Sequence, residues 1–456
     1  MPQPLMIVPA DDPNRVHDAL RDALAGGPAV FPRAAGAPAV AGLAAVPGDA
    51  AVVVETSGST SAPKRVVLSR DALLASAAGS DEALSLPSGK RQWLLCLPTH
   101  YVAGVQVLVR SIVAGTRPVV DVAGHFDPWR LARAAAALTA PVRLVSVVPV
   151  QLARLWRAAV SDPSLAAVVR RFDRILVGGQ ALETSLFERA VEAGFHVVRT
   201  YGSSETAGGC VYDGVPFGAV RARIVDDMVE LSGPVLADGY LGDAERTARA
   251  FHLETRPGGD AGVPPADGAA GAASATAGGP VPQGGVPAQT RWYRTGDLGV
   301  FSDGRLRVLG RADNVIISGG EKVLLDAVEA CVDRLPGLAD AVVVGVHDDE
   351  WGQVPVVVVA SEPGTARGGT EHGQAGDVTA HGAEAPELAA VRGRVAPVLG
   401  RQAAPAALVR LDRMPRLASG KPDRRRIARL AAARMRATAA GNAGQADRRM
   451  TMEPGR

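Results

Sequence analysis

The sequence predicts an α/β protein with a large N-terminal domain and a second, smaller α/β unit. Two observations predict this class. Short β-branched runs alternate with Ala/Leu/Arg-rich helical segments along most of the 456 residues, which is typical of buried strands covered by helices. A shorter run of the same alternation begins after Asp313. At 456 residues, 47% of them hydrophobic, the chain is long enough for two domains with cores of their own.

The first domain shows strand and helix signals in turn. Asp127-Pro128 and Asp162-Pro163 each place a capping carboxylate before a proline, and this pair favours the start of a helix. Asp303-Gly304 lies between two apolar runs and predicts a tight hairpin turn. The apolar runs predicted to be strands are Ala51–Val54, Trp93–Leu97, Val142–Val148, Arg174–Val177 and His196–Thr200.

A domain boundary is predicted near Arg311–Asp313. It gives an N-terminal domain of residues 1–311 and a second domain of residues 312–433. The second domain is predicted to end in a helix. Before it, the pattern predicts a helix at Leu325–Leu335 and strands at Ala341–Val346 and Pro355–Ala360.

Two segments interrupt this pattern. Residues 255–290 and 362–386 are rich in Gly, Ala, Pro and polar residues. Such a composition buries too little apolar surface to offset the entropy of ordering, so both are predicted to be flexible insertions. The tail, residues 434–456, is predicted to be disordered.

Composition excludes several classes of function. The 49 basic and 47 acidic residues leave a net charge of +2, so no strong field favours nucleic acid or an anionic membrane. The widely separated Cys96, Cys210 and Cys331 are typical of free thiols in a reducing compartment. No signal-peptide pattern and no apolar run of about 18 residues is found. The expectation is a cytoplasmic enzyme without a membrane span.

The segment Thr56–Lys64 follows an apolar strand and is rich in groups that bind phosphate. Its backbone N–H groups, hydroxyls and lysine can donate to polyphosphate oxygens. A kinase-type P-loop is excluded because the second glycine is missing and a strand, not a helix, is predicted after Pro63. A Ser/Thr-rich surface turn remains the alternative on composition alone.

Four further clusters follow in order, and each alone is a weak signal. A glycine followed by an acid is common in turns, and Lys421 lies in a basic run. Five such clusters with these gaps are hard to obtain by chance. They are Tyr201–Thr206, Tyr293–Asp297, Gly310–Asp313 continuing to Ser318–Lys322, and Pro415–Lys421.

Together these motifs resemble the adenylate-forming superfamily of acyl-CoA synthetases, luciferases and nonribosomal adenylation domains, over about residues 50–430. The resemblance implies a large domain of mixed sheets and helices and a small, mobile α+β domain hinged at Asp313. It also implies ATP, Mg²⁺ and coenzyme A as cofactor and co-substrates, with homo-oligomers common among relatives. A non-catalytic nucleotide-binding protein of the same descent is the alternative.

The resemblance assigns roles to single residues. Glu205 matches a catalytic, magnesium-associated glutamate, and Lys421 matches the catalytic lysine that bridges the substrate carboxylate and the α-phosphate. Asp297 matches the acid that binds the ribose, where a carboxylate can accept from both hydroxyls. Ser61 replaces a usual glycine. The implied ATP-binding residues are Thr56, Ser57, Gly58, Ser59, Thr60, Lys64, Gly179, Gln180, Ser204, Asp297 and Arg311.

The substrate pocket is predicted around His100, Tyr101, Gln106 and Arg110. Tyr101 stands where relatives commonly have histidine. Gln106 and Arg110 are four residues apart, on one face of a predicted helix. Arg110 could pair with a second substrate carboxylate, or it is an ordinary surface or capping arginine.

Within the superfamily, the compact N-terminus and several segments are most similar to the o-succinylbenzoate–CoA ligases of menaquinone synthesis. Other aryl- or acyl-CoA ligases and carrier-loading enzymes remain alternatives. The resemblance also implies two half-reactions. After adenylation, the small domain rotates about Asp313, withdraws Lys421 and brings Gly319-Gly320 over the site for CoA.

Overall fold

The computed structural model describes residues 2–38, 45–56, 63–122, 124–255, 289–338, 340–360, 387–417 and 421–450, with side chains up to residue 437 in the last range. The two predicted insertions lie almost entirely outside the described residues. The chain divides into two compact units. The first comprises Met1–Thr295 and Gly299–Val308, and the second comprises Gly296–Leu298 and Leu309–Arg456. Asp297 therefore belongs to the second unit, although the sequence places it in the N-terminal domain.

The described helices of the first unit are α1 (Pro13–Leu24), α2 (Arg70–Ala83), α3 (Val102–Val113), α4 (Pro128–Ala135), α5 (Pro149–Ser161), α6 (Pro163–Val169), α7 (Thr184–Glu192) and α8 (Ala244–Ala250). Its strands, of which the last two also contribute to the second unit, are β1 (Gln3–Pro9), β2 (Ala29–Arg33), β3 (Ala45–Val46), β4 (Ala50–Thr56), β5 (Lys64–Ser69), β6 (Arg91–Leu95), β7 (Val119–Val120), β8 (Val142–Val147), β9 (Arg174–Val177), β10 (Val197–Ser203), β11 (Gly208–Tyr212), β12 (Val215–Pro216), β13 (Arg221–Val225), β14 (Met228–Ser232), β15 (Gly239–Tyr240), β16 (Phe251–Thr255), β17 (Gln289–Ser302) and β18 (Arg305–Arg311).

The predicted strands and helix starts of the first unit are present in the structure. Asp127 and Asp162 accept hydrogen bonds from backbone N–H groups at the first turns of α4 and α6. Asp303 and Gly304 both have positive φ, 51° and 71°. This is the backbone of a two-residue hairpin turn, and it joins β17 to β18.

Two sheets enclose the buried helix α3. One has the order β15-β5-β4-β2-β1-β3, and the other has the order β12-β11-β10-β9-β8-β6-β7. Every residue of α3 from Gly104 to Ser111 is buried, including the polar Gln106, Arg110 and Ser111. Leu144 and Leu176 face α3, whereas Val145 and Ile175 face α4–α7, because neighbouring side chains of a strand point to opposite faces.

The second of these sheets determines where the candidate site lies. Strands β6, β8, β9 and β10 are mutually parallel. Their carboxyl ends therefore lie at one edge of the sheet, where open α/β sheets bind ligands. A third sheet of the first unit has the order β13-β14-β17-β16, with β18 paired to β17.

The second unit has its own sheet and helices. Its sheet has the order β20-β19-β22-β21, with β23 parallel to β22. The apolar faces of this sheet pack against α9 and α10 on one side and against α11 on the other. The elements are β19 (Val315–Ser318), β20 (Glu321–Leu324), α9 (Leu325–Val332), β21 (Val342–Asp348), β22 (Gly352–Ala360), α10 (Leu388–Leu399), β23 (Ala407–Leu411) and α11 (Arg424–Met450).

The predicted disordered tail differs from the structure. Helix α11 continues to Met450, beyond residue 434 where the sequence predicts the end of order. The segment is rich in Ala and Arg, which have high helix propensity, and no proline or paired glycine interrupts it. Within the described residues, no helix is long and apolar enough to cross a membrane.

Gly104 offers a test of how closely α3 packs. A Cβ at this position would lie 2.2 Å from the carbonyl oxygen of Pro98. We expect Gly104→Ala to destabilise the protein by about 1–3 kcal/mol, because backbone atoms would have to move. Gly393→Ala is the matched control: this helical glycine has open space around it, and the change should stabilise by about 0.5–1 kcal/mol. Denaturant unfolding measures both. An equal response of the two variants would contradict the close contact.

Candidate active site

The predicted phosphate loop connects two antiparallel strands. Thr56, at the end of β4, pairs with Lys64, at the start of β5. The predicted strand–loop–strand context is confirmed, and it excludes the helix that a kinase-type P-loop requires. Ser57, Gly58, Ser59, Thr60 and Ser61 lie outside the described residues. The Nζ atom of Lys64 lies 5.5 Å from the centre of the Tyr240 ring.

Glu205 lies in a 3₁₀ turn, Ser204–Thr206, directly after β10. The turn is held by Thr206, whose hydroxyl accepts from the Ser203 N–H at 2.9 Å and donates to the Gly208 carbonyl at 2.8 Å. Ala207 takes a left-handed conformation, φ 49°. Glu205 is 6% exposed, and its carboxylate accepts a hydrogen bond from the Tyr240 hydroxyl at 2.9 Å.

Glu205 fits a magnesium ion. In the described part of the chain no cationic side chain forms an ion pair with it, although a buried carboxylate is costly without a positive partner. No group of three or more His, Cys, Asp or Glu residues gathers elsewhere in this part as a metal cluster. Mg²⁺ in nucleotide enzymes is held by one or two carboxylates together with substrate phosphates. One buried carboxylate, bonded to the tyrosine whose ring lies near Lys64, suits that pattern.

Helix α3 brings one predicted pocket residue to the turn that carries Glu205 and a second to β11, the strand that follows this turn. The Nε2 atom of Gln106 donates to the Ala207 carbonyl at 2.7 Å. One turn later, Arg110 donates to the Tyr212 hydroxyl at 3.2 Å and lies 5.3 Å from the centre of the Trp93 ring. Arg110 is only 8% exposed, so the alternative of a surface arginine is wrong.

Both side chains keep polar atoms without a partner. Gln106 Oε1 and Arg110 Nε are buried and make no hydrogen bond within the described residues. Buried groups of this kind are costly and uncommon in native proteins. They indicate that a polar ligand or ordered water completes the site.

The remaining predicted residues of the first unit lie at the loops around this edge of the sheet. His100 and Tyr101 precede α3, with ring centres 4.2 Å apart. Burial lowers the pKa of His100 and raises the pKa of Tyr101, so both are uncharged near neutral pH. Gly179 and Gln180 follow β9. Gly179 has φ 83°, a conformation that favours glycine, and Gln180 is exposed.

In the second unit, four predicted residues form one electrostatic cluster. Arg311 contacts Asp297 at 3.0 Å and Asp313 at 3.2 Å. Burial acts to lower the pKa of Arg311, but Asp297 and Asp313 outweigh it and raise that pKa. Burial lowers the pKa of Lys421, nearby Arg311 lowers it further, and Asp297 opposes both. Lys421, Arg311 and Asp297 are thus close enough to influence one another's charge.

The predicted hinge and glycine loop are shaped by further contacts of the second unit. Asp326 accepts from the Arg311 N–H at 2.8 Å and from the Asn314 side chain at 2.6 Å, which holds the backbone around Asp313. Gly319 and Gly320 join β19 to β20 with φ of 57° and 86°. This two-residue turn needs glycine-like residues at both positions.

The chain is similar in sequence and in fold to known proteins. A model of the AMP-binding enzyme family matches residues 12–240, and a model of the AMP-binding enzyme C-terminal domain matches residues 327–421. The chain belongs to the AMP-binding enzyme family. As a member, it is an adenylate-forming enzyme that uses ATP. The predicted membership of the adenylate-forming superfamily is therefore confirmed.

Named relatives of the family are similar over much of the chain. A probable 2-succinylbenzoate–CoA ligase of Mycobacterium tuberculosis is 35% identical over 84% of this chain and 84% of its own length. The 2-succinylbenzoate–CoA ligase of Escherichia coli is 31% identical over 67% of this chain and 57% of its own length.

A solved structure confirms the predicted fold class. The o-succinylbenzoate CoA synthetase (MenE) from Bacillus subtilis, in complex with the acyl-adenylate intermediate OSB-AMP, is 21% identical to this chain. The match covers 93% of this chain and 82% of that one, with a TM-score of 0.64. At this identity the likeness shows the fold alone.

Sequence reasoning missed two side chains that contact predicted site residues, one at the magnesium-associated Glu205 and one at Gly319 of the predicted CoA loop. Tyr240 bonds Glu205, although 34 residues separate them in the chain. Trp351 packs on Gly319, where an added Cβ would lie 2.7 Å from its ring. The one sequence feature that could have drawn attention to Tyr240 is the pair Gly239-Tyr240, which stands shortly before the helix cap Asp243. No local signal connects Trp351 to the glycine loop.

Proposed function

We propose that this enzyme activates 2-succinylbenzoate as its acyl-adenylate with ATP and then transfers the acyl group to coenzyme A, a step of menaquinone biosynthesis. The observation that carries the substrate assignment is Arg110. It is a buried cation on the helix that contacts the Glu205 turn, and no carboxylate of the described residues pairs with it. A second substrate carboxylate would supply the missing charge.

The relatives support the same substrate. The M. tuberculosis and E. coli proteins, named for their action on 2-succinylbenzoate, are 35% and 31% identical to this chain. A simple fatty acid or benzoate has a single carboxylate, which adenylation consumes, and would leave Arg110 without a counter-charge. Succinylbenzoate retains one carboxylate after activation.

In the first half-reaction, the substrate carboxylate attacks the α-phosphorus of ATP in line and pyrophosphate leaves. Residues of Thr56–Lys64 donate to the phosphate oxygens, and Lys421 neutralises charge between the carboxylate and the α-phosphate. Glu205 would hold Mg²⁺, which supplies further charge neutralisation at the phosphates. Asp297 accepts from the ribose hydroxyls, while Ser204 contacts the α-phosphate and Gly179 and Gln180 line the adenine.

In the second half-reaction, the thiol of coenzyme A attacks the acyl carbon and AMP leaves. The Gly319-Gly320 turn is the proposed CoA-contacting element, and Asp313 is the proposed hinge. Lys421 serves only the first half-reaction. Such a division lets one enzyme run two chemistries in sequence.

Acid-dependent exchange of pyrophosphate into ATP tests the proposal. We expect exchange with 2-succinylbenzoate, at least about tenfold less with benzoate or a medium-chain fatty acid, and thioester formation once CoA is added. Exchange that is faster with benzoate or a fatty acid would reassign the substrate. No acid-dependent exchange with any acid would contradict the ligase function.

Arg110→Met tests the role of the buried cation. We expect the KM for 2-succinylbenzoate to rise about 10- to 100-fold, because a hydrogen bond to a charged group contributes about 1.5–3 kcal/mol. The KM for ATP should stay the same. The control is Arg117→Met, an exposed arginine that pairs with Asp18. A loss that is equal for 2-succinylbenzoate and benzoate would assign Arg110 to structure instead.

A further inference from the structure

Tyr240 is fixed in place by the backbone around it. Strand β15 pairs with β5, with Tyr240 opposite Val66, two residues from Lys64. The Tyr240 N–H donates to the Thr247 hydroxyl at 2.9 Å. An added Cβ on Gly239 would lie 2.4 Å from Thr247, so β15 packs directly on α8. Tyr240 is 6% exposed, and its ring therefore has little freedom.

The hydroxyl of Tyr240 points at the proposed magnesium ligand. It donates to Glu205 Oε1 at 2.9 Å, and within the described residues it is the one side chain that donates to this carboxylate. A tyrosine hydroxyl, whose ordinary pKa is about 10, keeps its proton near neutral pH and remains a donor. This bond orients one carboxylate oxygen and leaves the other to meet a cation.

The ring of Tyr240 faces the cation of the phosphate loop. Lys64 Nζ lies 5.5 Å and the Arg246 guanidinium 5.9 Å from the ring centre. A cation at this distance from an aromatic face is attracted by the ring quadrupole. One side chain therefore contacts both the proposed magnesium carboxylate and the lysine that ends the phosphate loop.

We propose that Tyr240 is a positioning residue for adenylation, whose hydroxyl orients Glu205 toward Mg²⁺ and whose ring seats Lys64 beside the ATP phosphates. This inference rests on the proposed function, which gives Glu205 and Lys64 their roles. In this proposal Tyr240 acts through these two residues.

Tyr240→Phe separates the two contacts, because it removes the hydroxyl and keeps the ring. We expect the Mg²⁺ concentration for half-maximal pyrophosphate exchange to rise about ten- to a hundredfold. The same increase is expected in the Mg²⁺ needed to bind α,β-methylene-ATP, measured by calorimetry without turnover. Tyr212→Phe is the comparison. It loses a hydroxyl that contacts Arg110 and should leave the Mg²⁺ requirement unchanged.

A double-mutant cycle with Glu205→Gln distinguishes positioning from general destabilisation. If Tyr240 acts through the carboxylate, Tyr240→Phe changes Mg²⁺ dependence in the wild type and has little further effect in the Glu205→Gln background. A merely structural effect would persist in both backgrounds and would lower the Tm in both. Tyr240→Leu, which also removes the ring, should in addition raise the KM for ATP.

The outcomes separate the two claims. Unchanged Mg²⁺ dependence of Tyr240→Phe, in exchange and in calorimetry, or equal effects in both backgrounds, would overturn the inference. Absence of acid-dependent exchange in the wild type would overturn the proposed function. In that case a higher Mg²⁺ requirement of Tyr240→Phe for binding α,β-methylene-ATP would still support the positioning role of Tyr240.

Discussion

Lys421→Ala is expected to slow adenylation by about 10²- to 10³-fold and to leave thioester formation from preformed acyl-adenylate close to the wild-type rate. Removing one preorganised donor from developing charge costs on this scale. Lys421 has no part in the proposed second half-reaction. Pyrophosphate exchange measures the first half-reaction, and CoA added to prepared acyl-adenylate measures the second. Equal loss in both would remove the assigned role.

The same lysine predicts a pH dependence. Because the pKa of Lys421 is lowered, it loses its proton at a lower pH than an ordinary lysine, whose pKa is about 10.4. The kcat/KM of adenylation reports the ionisation of the free enzyme. As the pH rises, it should therefore begin to fall at a pH below about 10.4. Lys421→Arg should move this fall to higher pH. The exposed Lys90 supplies the control, since Lys90→Ala should change neither the rate nor the profile.

Glu205→Gln is expected to reduce exchange on the order of 10²- to 10³-fold, since several kcal/mol of charge stabilisation are lost with the metal ligand. The variant should be at least as stable as the wild type. Its amide is still able to accept from Tyr240, and the cost of a buried charge without an ion-pair partner disappears. Activity and Tm should therefore change independently.

Glu192→Gln, on the exposed end of α7, is the matched control and should leave both activity and Tm unchanged. A Glu205→Gln variant with full exchange at low Mg²⁺ would exclude the metal role. A variant with a strongly lowered Tm would assign Glu205 to the stability of the turn.

Local patterns predicted the elements that carry the site. The caps Asp127 and Asp162, the turn Asp303-Gly304 and the strand on either side of Thr56–Lys64 are present in the structure. Each depends on residues close in sequence, where backbone geometry and side-chain type settle the outcome. The end of α11 shows the limit. The helix extends past residue 434, because its residues keep a high helix propensity, whereas the composition of this segment alone predicted disorder.

The environment of each predicted side chain required the folded chain. Helical spacing put Gln106 and Arg110 on one face, but only the packing of α3 between two sheets shows that both are buried beside Ala207 and Tyr212. The hydrogen bonds of these pairs join residues about a hundred positions apart. Strand order and register decide such contacts, and neither can be read from one segment.

The sequence by itself determined the family, the order of the motifs and the residues proposed to bind phosphate, metal and ribose, because these depend on residue type and spacing along the chain. The tertiary structure decided which charges are buried and what holds them. It placed Tyr240 against Glu205 and Lys64, and it gathered Lys421, Arg311 and Asp297 within electrostatic reach. These arrangements follow from strand pairing and burial between distant segments, which is where the free energy of a buried charge is set.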